Sequence, residues 1–278
     1  MTLLLYLSNI LCASGQSALS KQYARRGGDA RSFNLNKALM GTVLFLAYGL
    51  MAGFSLHLPT ALWALAYGLS LCLSMHAGFK ALSMGPMSLT SIIASFSLVV
   101  PFFFGICFWD EPMTAYKALG LALLLVSILL INLRREAGLS LGWLFFALLT
   151  LVTNGICSVL QKVHQLQFPR LYRTEFMVWS LLCVLVILSV TGTVQKAPGP
   201  RFRFSAAGLA AGGMNALANY IVLYLSAMEN ASTLFPIVSM ANIIAVWLIG
   251  LFLFRERLKP AQLLGLLVGM LSVLLLKL

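Results

Sequence analysis

Residues 108–130 read FWDEPMTAYKALGLALLLVSILL, and residues 253–275 read LFRERLKPAQLLGLLVGMLSVLL. The two runs align without a gap at an offset of 145 residues. Glu111 falls on Glu256, Leu119 on Leu264, Gly120 on Gly265, Leu121 on Leu266 and Ser127 on Ser272. Lys117 falls on Gln262, which keeps a polar position and drops the charge. In each run an acid closes an apolar stretch, a short polar turn follows, and a new apolar stretch begins. A helix–turn–helix unit that occurs twice implies a duplicated architecture.

The composition says where that architecture sits. Of the 278 residues 60% are hydrophobic and 9% charged, and the mean hydropathy is +0.94. A soluble domain carries roughly 25% charged residues. So little charge cannot solvate a surface, and the chain is an integral membrane protein. A spanning helix takes about 20 apolar residues, so the length accommodates about ten with short loops. Barrel strands would alternate apolar and polar over about 10 residues; the apolar runs here are continuous.

The net charge of +12 comes mostly from basic residues in short loops, which set topology and meet anionic lipid. No nucleic-acid motif accompanies them, so a nucleic-acid partner is not expected. Cys12, Cys72, Cys107, Cys157 and Cys183 all lie inside apolar runs without metal-ligand spacing, which predicts packing thiols and no disulfides. The N-terminal run lacks a basic lead, and Asn9, Ser14, Gln16 and Ser17 interrupt it. It reads as a retained helix and not as a signal peptide. No HExxH, GxSxG or phosphate-binding glycine loop occurs. Neither an intramembrane enzyme nor an ATP-driven pump is expected, and no cofactor or metal.

Ten helices are expected, at about 2–23, 37–56, 59–84, 88–108, 113–133, 141–161, 175–194, 205–228, 231–252 and 258–276. Gly85-Pro86 and Asp110-Glu111-Pro112 mark turns. Arg134, Arg135, Glu136 and Gly138 mark the joint between two five-helix repeats, residues 1–136 and 137–278, within one transmembrane domain. The first and sixth helices repeat as well. Ser14 and Gly15 match Asn154 and Gly155, with Lys21 and Lys162 following. Five is odd, so the second copy enters the membrane from the opposite side. The fold class is therefore an all-α membrane protein of ten spans in a 5+5 inverted-topology repeat, an arrangement of many secondary transporters.

These features resemble the drug/metabolite transporter superfamily, and within it the EamA-type ten-helix transporters. The resemblance rests on the repeat and on the apolar–Glu–turn–x–Gln/Lys–x–x–Gly–apolar signature closing each half. It implies a central cavity lined by the first, third and fourth helices and by the sixth, eighth and ninth. It also implies that the fifth and tenth helices hold the halves together at the edge. Lys and Arg concentrate in the loops after the odd-numbered helices, which puts both termini outside by the positive-inside rule. The resemblance puts them in the cytoplasm. Both readings place the termini on one side.

A polar side chain within the bilayer is either a functional group or glue between helices. His76, in the apolar middle of the third helix, either hydrogen-bonds substrate or carries a proton, or else is a neutral donor to a neighbour. Lys80, four residues on, reads as snorkelling to headgroups. Asn215 and Asn219 form an amide ladder on the eighth helix, with Tyr220 and Tyr224 on an adjacent face. Ser91, Ser95 and Ser97 on the fourth helix match Ser239 and Asn242 on the ninth. Asn9, Ser14 and Gln16, with Asn154 and Ser158, complete the polar lining.

The expected substrate-binding set is His76, Asn154, Asn215, Asn219, Tyr220, Ser95, Asn242 and Gln16. Trp63 and Trp179 read as packing residues, and Pro101 and Pro236 as kinks. Gly208/Gly212 and Gly265/Gly269 mark close helix packing, while Glu111 and Glu256 read as caps. No Asp or Glu lies mid-membrane, which argues against organic cations as substrates. Proton coupling would have to use His76 or a boundary acid, Glu175 or Glu229.

The function these residues predict is a secondary transporter of small polar or zwitterionic metabolites, amino acids first, by alternating access around a central cavity. The alternatives are a non-transporting membrane scaffold or sensor, and a lipid flippase with a laterally open cavity. The partners expected are a small-molecule substrate and the lipid bilayer of a bacterial-type inner or plasma membrane. The chain would work as a monomer or homodimer.

Overall fold

The structure is a computed structural model that describes residues 2–108, 114–132, 140–169, 171–194, 203–225, 231–255 and 260–277. Its helices are α1 Thr2–Arg25, α2 Ala30–Ala52, α3 Leu58–Met84, α4 Met87–Ser95, α5 Val99–Phe108 and α6 Ala115–Asn132. They continue with α7 Leu141–Gln167, α8 Arg173–Val194, α9 Ala206–Leu225, α10 Ala231–Leu253 and α11 Pro260–Lys277. A 3-10 turn over Phe96–Leu98 joins α4 to α5. All regular structure among the described residues is helical. Among the described residues five helices are long and apolar enough to cross a membrane: α2, α3, α7, α8 up to Val190, and α9. Glu111, Glu256, Glu229, and the joint through Arg134, Arg135, Glu136 and Gly138 lie outside the described residues.

Local chemistry moves several expected boundaries. Asp29 accepts from the backbone N–H of Ser32 at 2.8 Å and caps α2, so that helix begins at Ala30 and not at 37. Gly53 ends it with φ 89°, a left-handed conformation that glycine adopts without strain. Pro59 sits in the first turn of α3, where a missing N–H costs nothing. Ser140 caps α7 at the backbone N–H of Trp143, and α7 runs to Gln167, beyond the expected end near 161.

The expected fourth helix, 88–108, is broken. The ring of Pro101 excludes the carbonyl four residues back, that of Ser97, from an α-type bond. The chain tightens into a 3-10 turn around that carbonyl, so the kink read from Pro101 is a change of helix type.

The packing is dominated by a few pairs. α6 lies along α11; α3 lies against α7 and α8; α2 lies against α8 and α9; α1 lies against α9 and α10; and α10 lies against α4. Lipid tails are as apolar as leucine, so close packing and hydrogen bonds, more than burial, hold such helices together. One apolar cluster joins α2, α3, α8 and α9 through Phe45, Tyr67, Phe176, Leu181 and Leu223. A second joins α4, α7, α10 and α11 through Ile93, Trp143, Ile243 and Leu266. There Trp143 donates from Nε1 to Thr90 Oγ1 at 2.9 Å, so its one polar atom is satisfied. Leu50, Met51, Leu62 and Leu69 face outward, as a lipid-facing surface requires.

Gly212 marks a close approach of α9 to the backbone of α2. A Cβ there would stand 2.5 Å from the Lys37 carbonyl oxygen and 2.8 Å from Met40 Cβ. Gly208, one turn earlier, would meet Asn36 Cβ at 2.8 Å. The small-xxx-small spacing therefore seats α9 on α2 within one chain.

Candidate functional site

Polar residues of α1, α3, α7 and α9 face one another around two stacked chambers. The first, about 170 Å³, reaches α2 and α4 through Asn34, Lys37, Thr90 and Ser91. The second, about 240 Å³, runs past Asn9, Tyr67, Ser97, Gln161 and Asn219. Gln16, Leu71, Asn154 and Asn215 line both chambers and form a waist between them. Among the described residues no Asp or Glu lines either chamber.

The waist is held by direct bonds. Ser74 donates to Asn154 Oδ1 at 2.5 Å, which orients that amide from α3. Asn219 donates from Nδ2 to the Asn215 carbonyl at 2.8 Å. Tyr67 donates to Asn219 Oδ1 at 3.4 Å and accepts from Gln161 Nε2 at 3.0 Å, tying α3, α7 and α9 through one phenol. Asn9 donates to the Ala218 carbonyl at 2.8 Å and fixes α1 on α9. Two buried atoms of lining residues have no partner: Gln16 Oε1 and Asn34 Nδ2. Unpaired polar atoms are costly away from water, and these stand where a ligand would meet them.

Of the helices that wall the chambers, α1 and α3 fall within a stretch that matches a family model. Residues 1–133 match the model of the EamA-like transporter family. None of the curated proteins matches the chain. A crystal structure of a protein that is 14% identical superposes with a TM-score of 0.68, over 99% of this chain and 96% of that one. At that identity the likeness shows the fold alone, and it extends over the second half as well as the EamA-like first.

Four of the eight expected site residues meet at this cavity: Gln16, Asn154, Asn215 and Asn219. His76 does not join them. α3 presents Leu71, Ser74, Met75 and Gly78 to the chambers. His76, two residues beyond Ser74, is turned about 200° away and is exposed. Tyr220 is one residue past Asn219 and lines neither chamber; its hydroxyl bonds that of Tyr48 at 3.3 Å. Asn242 also lines neither, although its Oδ1 is buried without a partner. Ser95 closes α4, and its side chain lies outside the described set. Ser14 bonds back to the Ile10 carbonyl of its own helix at 2.7 Å.

Lys37, the first residue of the helix expected at 37–56, also lines the first chamber and was not among the expected site residues. Its signal was helical phase: Asn34 and Lys37 share one face of α2 three residues apart, behind an Asp cap.

A second polar cluster closes the end of the bundle where α3 begins and α7 ends. His57 Nδ1 is 2.9 Å from Thr60 Oγ1, which is 3.1 Å from His164 Nε2. His164 Nδ1 is 3.2 Å from Gln165 Nε2, and Gln165 Oε1 accepts from Arg173 Nε at 3.1 Å. Arg173 is donor-only, so it fixes the Gln165 oxygen toward itself and the amide nitrogen toward His164. His164 Nδ1 therefore accepts, its Nε2 carries the proton to Thr60, and Thr60 donates to His57. Tyr172 stacks on His57 at 4.1 Å and 4°. Beside them Glu175 accepts from Ser55 N at 3.2 Å and Ser55 Oγ at 3.1 Å.

Proposed function

We propose that the chain is a secondary transporter of small polar or zwitterionic metabolites, amino acids first. Two inverted five-helix halves would rock around the waist formed by Gln16, Leu71, Asn154 and Asn215. The observation that carries this reading is the polar two-chamber cavity inside an apolar helical bundle, with buried amide atoms left unpartnered at its wall. A membrane scaffold has no use for such a cavity.

The helix pairings support the inverted halves. When α1, α2, α3 and α6 are exchanged for α7, α8, α9 and α11, the pair α1–α9 becomes α7–α3. The pair α2–α9 likewise becomes α8–α3, and both are formed. In this reading the protein works in a bacterial-type inner or plasma membrane, as a monomer or homodimer. Proton coupling would run through Glu175 and the neighbouring His57–Thr60–His164 relay, the described acid and histidines that share one end of the bundle.

The test is counterflow of radiolabelled L-alanine, L-serine and related small metabolites in proteoliposomes holding the purified full chain. Saturable flux that Asn154→Leu removes is expected. Flux no greater than in empty liposomes across that panel overturns the reading. A dependence on an imposed pH gradient that Glu175→Gln removes is the outcome for the proton route, and indifference to the gradient overturns that part.

A further inference from the structure

We propose that Lys37 is the anion-binding residue of the first chamber and that the transported solute carries a carboxylate. The inference rests on the transporter reading above and names the chemistry its cavity selects.

Lys37 lies about two turns into α2, where the α2 and α9 backbones pack closely over Gly212. That contact fixes the root of its side chain at the chamber wall. Among the described residues no acceptor stands within hydrogen-bond reach of its ammonium group. No carboxylate of the described residues lines either chamber. The nearest acid on its own helix is Asp29, which caps the first turn and lies eight residues away, about 12 Å along the axis. Glu175 is committed to Ser55 at the other end of the bundle.

A cation in a low-dielectric cavity needs a counter-charge. Here the ligand is the source the chamber leaves open. Around that charge the wall offers complementary unpaired atoms. Asn34 is 2% exposed and its Nδ2 is an unused donor one turn before Lys37, suited to the second carboxylate oxygen. Gln16 Oε1 at the waist is an unused acceptor, suited to an ammonium or hydroxyl on the same solute. Donor at one end and acceptor at the other describe an amino or hydroxy acid. A simple amine would face Lys37 with like charge.

The experiment measures binding and flux separately. Purified full chain is titrated with L-alanine, lactate, ethanolamine, glycerol and inorganic phosphate, with thermal unfolding and calorimetry as readouts. L-alanine and lactate are expected to bind and to raise the unfolding temperature, while ethanolamine and glycerol do not. Lys37→Met should weaken the carboxylates roughly tenfold or more, and Lys37→Arg should retain them.

Equal binding of ethanolamine or glycerol, binding of phosphate alone, binding of none of the five, or carboxylate binding unchanged in Lys37→Met overturns the proposal. Should Lys37→Met not fold, Asn34→Leu and the wild-type selectivity carry the same decision. The two readings fail differently. Lys37-dependent lactate binding without flux of any solute would overturn transport and leave the anion site standing. Flux that is indifferent to Lys37 and to the carboxylate would do the reverse.

Discussion

Ser127 of α6 donates its hydroxyl to the carbonyl of Gly265 on α11 at 2.6 Å, and Ser272 of α11 returns the bond to the carbonyl of Gly120 on α6 at 2.6 Å. Both serines are fully buried. The four residues are the conserved-by-repeat positions of one signature, so the sequence duplication is visible as a reciprocal pair of bonds. Hydrogen bonds between membrane helices contribute about 0.6 kcal/mol each on average, up to about 1.7. Ser127→Ala and Ser272→Ala should each lower the unfolding temperature in detergent slightly. The double variant should lose about 1–2 kcal/mol, with flux unchanged within about twofold because neither residue touches a chamber. A large flux defect in a stable single variant would contradict this.

A pair of substitutions separates the wall of the cavity from its outside. Asn154 stands at the waist and is oriented by Ser74, whereas His76 on the same α3 helix as Ser74 faces away. Asn154→Leu should lower flux at least about tenfold, since it removes an amide shared by both chambers and strands the Ser74 hydroxyl. His76→Ala should leave flux within about twofold. The reverse order in initial-rate measurements would return His76 to the site.

The all-helical, membrane-type fold class was legible because membrane helices announce themselves by length and apolarity. The break at Phe96–Leu98 was half legible: Pro101 signalled a kink, but its form depends on the carbonyl of Ser97 in three dimensions. The waist residues were legible as polar groups in apolar runs. The phase of α3 was not, because it is apolar nearly all round and carries no polar stripe to show which side meets the bundle. Lys37 was hidden for the opposite reason. The expected helix 37–56 puts it at the edge of the bilayer, and the Asp29 cap starts α2 seven residues earlier, which carries Lys37 inside the helix.

Gly212 and Gly213 give an adjacent test of close packing. A Cβ at Gly212 would press on the Lys37 carbonyl at 2.5 Å and on Met40, whereas one at Gly213 would meet only Leu44 Cδ1 at 3.9 Å. Gly212→Ala should cost about 1–3 kcal/mol by forcing α2 and α9 apart. It should also weaken carboxylate binding, because Lys37 moves with α2. Gly213→Ala should be close to neutral in both thermal unfolding and calorimetry. Equal stability of the two variants would show that α2 and α9 do not meet at Gly212.

The relay at the α3–α7 end makes a prediction about where protons sit. Arg173 holds the Gln165 oxygen, so Gln165 offers His164 a donor and His164 must carry its proton on Nε2. Nitrogen NMR of histidine-labelled protein should show the Nε2–H tautomer for His164. Gln165→Glu replaces that donor with a carboxylate oxygen facing Nδ1, so the ring should place a proton on Nδ1. Thr60→Val removes the hydroxyl between the two rings and leaves the buried Nε2–H unpaired, which should cost about 1–3 kcal/mol. Thr60→Ser keeps the hydroxyl and should cost far less. An Nδ1–H tautomer in the wild type, or equal stability of Thr60→Val and Thr60→Ser, would break the donor order from Arg173 to His57.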